Sequence, residues 1–367
     1  MNRVAFVHVT EPGFTAGGAE IRTTQLYRAV RERWPEANLT MIPGVRHAPW
    51  TPSRARAAVH GIPPRLSRLY DAATVAAVRE AIADSDLAVA STTFTASLVR
   101  RSQRSKVVLD AHNIESRVTK QLSASSGAGT AARRLAYLAT TSWTRGFEAH
   151  LARSVAGVWA VSKTEAAWFA QQGARVWVVP NGVEVPSDSH APAGEKGLLF
   201  VGSLNSVFNR QGLEWFVSQV WPEVRRAIPD ARLEIAGSGP PLDLPQGVGQ
   251  LGFVEDLGPL YSRATACVAP LLGGAGTRLK VLEAMAHCRP VVTTSIGAEG
   301  LDVTHEEGVF RWDDPRDFAE ECRRLLSDPA AARVAGRKAR SKAVEYGWDR
   351  IAAVAFDSLK ELSLRCL

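Results

Sequence analysis

Short apolar runs, most of them rich in valine, recur at residues 4–9, 87–90, 107–109, 157–161 and 176–179. Between them, at 19–32, 71–83 and 164–172, apolar residues return with helical spacing. Apolar runs this short, with no polar alternation, predict strands covered on both faces. Their alternation with helices predicts β-α-β units and a mostly parallel sheet. The segment 187–197 (Ser-Asp-Ser-His-Ala-Pro-Ala-Gly-Glu-Lys-Gly) has linker composition. The pattern then restarts, with strands at 198–201, 232–236, 266–269 and 290–293, helices at 212–228, 257–263 and 279–287, and a helical tail from Pro315. Two doubly wound α/β domains follow, 1–186 and 198–347, joined by the linker. Such domains bind ligands at the carboxyl ends of their strands, and two facing each other would enclose a cleft.

Composition narrows the function classes. The 367 residues are 46% hydrophobic and 22% charged, as in ordinary globular proteins. No run approaches the ~18 apolar residues of a spanning helix, and the N-terminal apolar run is too short for a signal peptide. Cys267, Cys288, Cys322 and Cys366 form no C-x-x-C and have no clustered histidine, so they are expected to be reduced thiols of a cytoplasmic protein. The net charge of +7 is unevenly spread: 23 basic and 14 acidic residues in 1–190 give +9, and 21 and 23 in 191–367 give −2. Three stretches of the first half, 37–70, 87–109 and 116–147, contain no acid. Their basic residues alternate with Ala, Ser and Pro and lack the aromatic interleaving of single-strand binders, so nucleic acid is not the expected partner.

The strongest chemical signal is 270–287, where a strand end meets Gly273, Gly274 and Gly276, then a helix starting near Thr277 with Arg278 and Lys280 in its first turn. Glycines admit backbone amides to a phosphate, and a bound anion would offset two cations placed against the helix dipole. Glu283 interrupts the apolar run 281–286, where a carboxylate needs donors such as a ribose diol. His112, after the run 107–111, belongs at a strand's carboxyl end and could bind a hydroxyl-rich ligand or carry a proton. Asp84-Ser85-Asp86 precedes a strand rather than following one, Gly237-Ser238-Gly239 lacks the hydrolase elbow, and His305-Glu306-Glu307 lacks zincin spacing. No metal site is expected.

Gly276-Thr277-Arg278-Leu279-Lys280-Val281-Leu282-Glu283-Ala284-Met285-Ala286, followed by Arg289-Pro290-Val291-Val292, resembles the signature of glycosyltransferase family 4. Supporting segments occur in order: Gly17-Gly18-Ala19-Glu20, Val161-Ser162, Pro180-Asn181-Gly182-Val183, Phe200-Val201-Gly202-Ser203 and Gly252-Phe253-Val254-Glu255-Asp256-Leu257. The resemblance implies the GT-B fold, two facing Rossmann-like domains with an inter-domain cleft, and a last helix (348–367) that returns to the first domain. It implies retaining, metal-independent transfer of a hexose-type sugar from a nucleoside diphosphate sugar to an acceptor hydroxyl, with no cofactor and the departing phosphate accepting the proton.

Carried over by position, the resemblance makes Glu283 the ribose ligand. Gly274, Ala275, Gly276, Thr277 and Leu279 form the loop at the diphosphate and sugar, and Gly252, Phe253 and Val254 meet the base. Gly17 and Gly18 close over the donor, and His112 touches the transferred sugar. Two departures stand out. Ala275 replaces the family's first glutamate, and Ser203 and Asn209, beside Gly202, stand where many members carry Arg and Lys. Arg278 and Lys280 are therefore expected to supply the missing charge. Arg46, Trp50, Arg54, Arg56, Arg65 and Arg68 are expected on a loop-rich surface facing an anionic or lipid-linked acceptor, or an anionic membrane. Bacterial glycoconjugate, polysaccharide or secondary-metabolite synthesis is the expected setting. The rival is a catalytically idle sugar-nucleotide sensor or partner subunit.

Overall fold

The computed structural model describes residues 3–10, 18–44, 52–124, 131–187, 196–274 and 278–364. The chain divides into two units, one of Met1–Asn181 with Trp348–Leu367, the other of Gly182–Gly347. The division falls five residues before the expected domain end. Val183 pairs with Gly347, and Pro186 O accepts from Arg340 Nη2 at 2.6 Å, which ties 182–186 to the second unit.

The first unit is built on six parallel strands: β1 (Val4–Thr10), β2 (Asn38–Pro43), β3 (Leu87–Ser91), β4 (Val107–Ala111), β5 (Gly157–Ala160) and β6 (Val176–Val178), in the order β2-β1-β3-β4-β5-β6. Both faces of the interior strands are covered, which is why those strands are mostly apolar. Along β1, Ala5, Val7 and Val9 enter one core cluster with Val75, Val78 and Ile82 of the helix Ala72–Ala83. Val4 and Phe6 point the other way, to Leu26 and Val30 of the helix Gly18–Arg33 and to Ile351, Ala355 and Leu359 of Trp348–Ser363. The C-terminal helix is thus part of the first unit's core, locked further where Trp159 Nε1 donates to Ser358 Oγ at 2.8 Å.

The second unit repeats the plan with β7 (Gly197–Val201), β8 (Arg232–Ala236), β9 (Val248–Gly252), β10 (Ala266–Ala269), β11 (Val291–Thr293) and β12 (Val309–Arg311), ordered β12-β11-β10-β7-β8-β9 and all parallel. In each sheet the winding reverses beside the first strand, between β1 and β3 and between β7 and β10. Those switch points open a crevice at the strands' carboxyl ends.

Three strands escape the sequence pattern: β2, β9 and β12. All are sheet edges, where one side of the ladder meets solvent and no unbroken apolar run is needed. The expected loop-rich stretch 37–70 contains β2 and the helix Pro52–Val59. The single helix expected at 212–228 is two, Val207–Trp215 and Trp221–Ala227, joined by a π-turn at Phe216–Val220 next to Pro222. The three cysteines among the described residues are free and buried. Among those residues no helix is long and apolar enough to cross a membrane.

Candidate functional site

Two clusters of polar side chains occupy the two switch points. In the second unit the floor is made by close backbone approach of the loops after β7 and β8. Gly202 N donates to Ala236 O at 2.8 Å, and Leu204 N donates to Ser238 O at 2.7 Å. Gly237, at φ +152°, could not carry a side chain, because a Cβ there would lie 2.1 Å from Gly202 O. The Gly-Ser-Gly dismissed as a hydrolase elbow is therefore this floor, and Ser203 and Ser238 meet on it, Oγ to Oγ, at 3.1 Å.

Lys280 and Asn209 lie over this floor. Lys280 Nζ donates to Asn209 Oδ1 at 2.6 Å and sits 4.8 Å from the Phe200 ring centroid, while Asn209 Nδ2 donates to Ser203 O at 2.8 Å. A Cβ on Gly202 would come within 2.7 Å of that ammonium, so glycine leaves it room. Burial, and then the neighbouring Arg278, push the ammonium from 10.5 down to about 7. Lys280 is paired with no carboxylate among the described residues.

Arg278 is employed differently. Its guanidinium donates to Gly274 O at 3.1 Å and to Ile296 O at 3.0 Å, and Glu299 lies 3.6 Å away. It holds the glycine loop, where Gly274 has φ +111°, against the next loop of the sheet. Leu279 opens the helix Leu279–Ala286. Glu283 is half-buried on that helix, and burial raises its carboxyl above the ordinary value. Gly252 ends β9 at φ +73°, Phe253 is 70% exposed, and Val254 packs against the unit's core. Ala275, Gly276 and Thr277 lie outside the described residues.

At the first unit's switch point a cavity of about 380 Å³ is lined by His8, Gly18, Arg65, Arg68, Thr92, His112, Asn113 and Glu115, among others. His112 Nε2 lies 3.0 Å from Asp110 Oδ2 and 3.2 Å from Ser91 Oγ. Asp110 is itself clamped by the fully buried Arg22, whose Nε and Nη2 donate to it at 2.8–3.0 Å. The same guanidinium donates to Val179 O, Pro180 O and Asn181 Oδ1, where the chain leaves the unit. Burial alone would raise Asp110; Arg22 and then His112 overcome it and hold the carboxyl well below the usual range. Thr92 has φ +75°, a strained conformation for a β-branched residue, as is common where backbone is held for function.

His8 is 4% exposed, and its Nδ1 has no partner among the described residues. Burial first, then His112, lower it from 6.5 to about 4. The unfolded chain therefore takes up this proton before the folded one does. The first unit is expected to lose about 3 kcal/mol as pH falls from 6.5 to 4, and none of it above 6.5. Denaturant melts of His8→Gln across that range check this; an unchanged acid slope would contradict it.

Arg65 Nε donates to Glu115 Oε2 at 3.0 Å on the cavity's rim, and Arg54 Nη2 to Pro64 O at 2.6 Å. Arg56 lines a second cavity, of about 480 Å³, with His60, Arg79 and Arg100. Gly17, Arg46 and Trp50 lie outside the described residues. Sequence reasoning missed Arg22, Asp110 and His8. The available signal was an acid inside the apolar run Val-Val-Leu-Asp-Ala, which burial makes untenable without a cation. Among the described residues no three His, Cys, Asp or Glu side chains are grouped to hold a metal ion.

Residues 195–328 match the family model for glycosyl transferases group 1. That stretch contains the whole floor, Lys280 and Glu283. The match falls within the second unit, which is therefore similar to group 1 glycosyl transferases over those residues. A protein of the cps region of Klebsiella pneumoniae, described as an uncharacterized 44.6 kDa protein, is 35% identical over 136 residues, which is 34% of this chain and 35% of that one. The chain thus aligns with about a third of that relative's length. Similar folds extend further. Sucrose-phosphate synthase from Thermosynechococcus elongatus superposes with a TM-score of 0.71 at 20% identity over 100% of both chains. Anabaena HepE, solved with UDP and glucose, gives 0.68 at 15% identity over 98% of this chain and 100% of its own. WaaG, a glycosyltransferase involved in lipopolysaccharide biosynthesis, gives 0.67 at 15% identity over 97% and 99%. The chain has the GT-B fold of these structures.

Proposed function

We propose that the chain transfers a hexose-type sugar, with retention, from a nucleoside diphosphate sugar to an acceptor hydroxyl. The observation that carries this reading is the Lys280 ammonium, held by Asn209 at the switch point of the second unit and matched by no carboxylate among the described residues. A diphosphate is the anion that such a position accommodates. Expelling it from an anomeric carbon places charge on its oxygens, and a fixed cation with nearby loop amides stabilises that charge as it develops. The departing phosphate can then take the acceptor's proton, so no protein nucleophile or metal is invoked. Arg278 shapes the loop, and Glu283 supplies an acceptor for the ribose. Asp110–His112 orients the sugar in the first unit's cavity, and Asn209 stands in place of the lysine that the resemblance leads one to expect.

HepE has been solved with UDP and with UDP-glucose, which favours a uridine donor, and the cps-region relative favours polysaccharide synthesis. For the acceptor, the acid-free stretches 37–70 and 87–109 converge on the second cavity, the first bringing Arg56 and His60 and the second Arg100. That convergence supports an anionic or lipid-linked acceptor and peripheral contact with an anionic inner membrane face.

Ala275 motivates the sensor reading. Incubation with radiolabelled nucleotide sugars and a bacterial glycolipid and polysaccharide extract separates the two. Transfer of label is expected, whereas binding without turnover would establish the sensor. Salt-sensitive flotation with phosphatidylglycerol vesicles is expected in parallel, and its absence would remove the membrane from the account.

A further inference from the structure

We propose that Tyr261 positions the carboxylate of Glu283, and that the pair makes the site discriminate ribonucleotides from 2′-deoxyribonucleotides. The inference rests on reading the second unit as the nucleotide-sugar site. Tyr261 lies on the short helix Gly258–Arg263 that leads into β10, and Glu283 on the helix that follows β10. The tyrosine is 1% exposed and packed among Leu260, Val281, Leu282 and Met285. Its ring is stacked on His287 with centroids 4.3 Å apart and an interplanar angle of 12°, which fixes where the hydroxyl points. Yet that hydroxyl is buried and makes no hydrogen bond of normal geometry. A buried phenol left unpaired is costly, so a native structure that keeps one needs a reason.

The carboxyl in reach is that of Glu283, one helical turn before the His287 on which the tyrosine stacks and joined to it where His287 N donates to Glu283 O at 3.0 Å, and each of the two groups alters the other's ionisation. A bond from the phenol to that carboxyl would satisfy the buried hydroxyl. Glu283 would then be anchored through one lone pair, and kept ionised despite the burial that raises it, with lone pairs left to accept from a diol. A ribose supplies two donors there. A 2′-deoxyribose supplies one and leaves the carboxylate short of a partner. Phenylalanine at 261 would keep the packing and the stack but release the carboxyl, which would no longer be held to accept from the 2′-hydroxyl.

The test is calorimetric titration of the full chain with UDP and 2′-deoxyUDP, and with the matching guanosine and adenosine pairs, using the pair whose ribonucleotide binds tightest. The wild type is expected to prefer the ribonucleotide by about 10–100-fold, the worth of one hydrogen bond to a charged group. In Tyr261→Phe that ratio is expected to fall to about threefold or less, with affinity for the deoxynucleotide nearly unchanged and no loss of melting temperature. Glu283→Asp, which withdraws the carboxyl from the phenol, is expected to lose the ratio as well. Cys267→Ala disturbs the same core but removes no donor to Glu283, and is expected to keep it. A wild-type ratio in Tyr261→Phe overturns the inference; if Glu283→Gln loses the ratio meanwhile, the ribose reading of Glu283 stands. Ratios unchanged in both overturn the ribose reading too. Absence of binding by any of these nucleotides overturns the nucleotide-site reading and the inference with it.

Discussion

Replacing Lys280 by methionine is expected to lower kcat/KM for the nucleotide sugar by about 10²–10³-fold, the usual consequence of removing one fixed stabiliser of developing charge. The same change is expected to leave the melting temperature unchanged or higher. Burial lowers the ammonium from 10.5 to about 7, so in the empty protein the charged form is unfavourable relative to the unfolded chain. That burden grows as pH falls from 10.5 and is complete below about 7. Methionine fills a similar volume over Phe200 without it. A residue retained for packing alone would behave oppositely, with stability lost and nucleotide affinity kept. Asn209→Leu is the milder companion: the lysine keeps its charge but loses the 2.6 Å acceptor that aims it.

The second large effect falls on stability. Arg22→Met is expected to destabilise the first unit by about 3–5 kcal/mol, since it strands a buried carboxylate. Asp110 would be left with His112 alone, and Val179 O, Pro180 O and Asn181 Oδ1 would lose their donor together. The wild-type contribution of Asp110 is present above the ordinary carboxylate value and is lost as pH falls from there towards its depressed folded value. Denaturant melts at pH 7 measure the first statement, and melts carried below pH 4, where the His8 loss is complete, measure the second. Adding Asp110→Leu to Arg22→Met is expected to recover much of the loss, because the unpaired charge is the greater part of the penalty. If Arg22→Met costs less than about 1 kcal/mol at pH 7, the clamp is not the support described.

Much of this was legible in the chain. The interior strands announced themselves because both faces of a parallel sheet are covered, and the glycine loop with Arg278, Lys280 and Glu283 because charged residues rarely interrupt such a helix. Of the four edge strands only β6 did, since half of each is solvated and its residues need only be compatible with a ladder. The division of labour between Arg278 and Lys280 was also hidden. Only the fold shows one guanidinium held by backbone carbonyls and one ammonium held by an amide. Arg22 and Asp110 are 88 residues apart, and only the parallel order β1-β3-β4 brings the helix after β1 to the end of β4. Tyr261 carried no signal at all, since a tyrosine in an apolar helix normally marks nothing but core.

The central claim is that the switch point of the second unit holds a nucleoside diphosphate through Lys280. The most direct measurement is a thermal-shift screen of wild type and Lys280→Met against UDP, GDP, ADP and dTDP. At a ligand concentration 100 times Kd, specific binding to the folded chain adds about 2.7 kcal/mol. At least one diphosphate is expected to raise the wild-type melting temperature by a few degrees and to leave that of Lys280→Met in place. Equal shifts in both proteins, or no shift by any of the four, would contradict the claim.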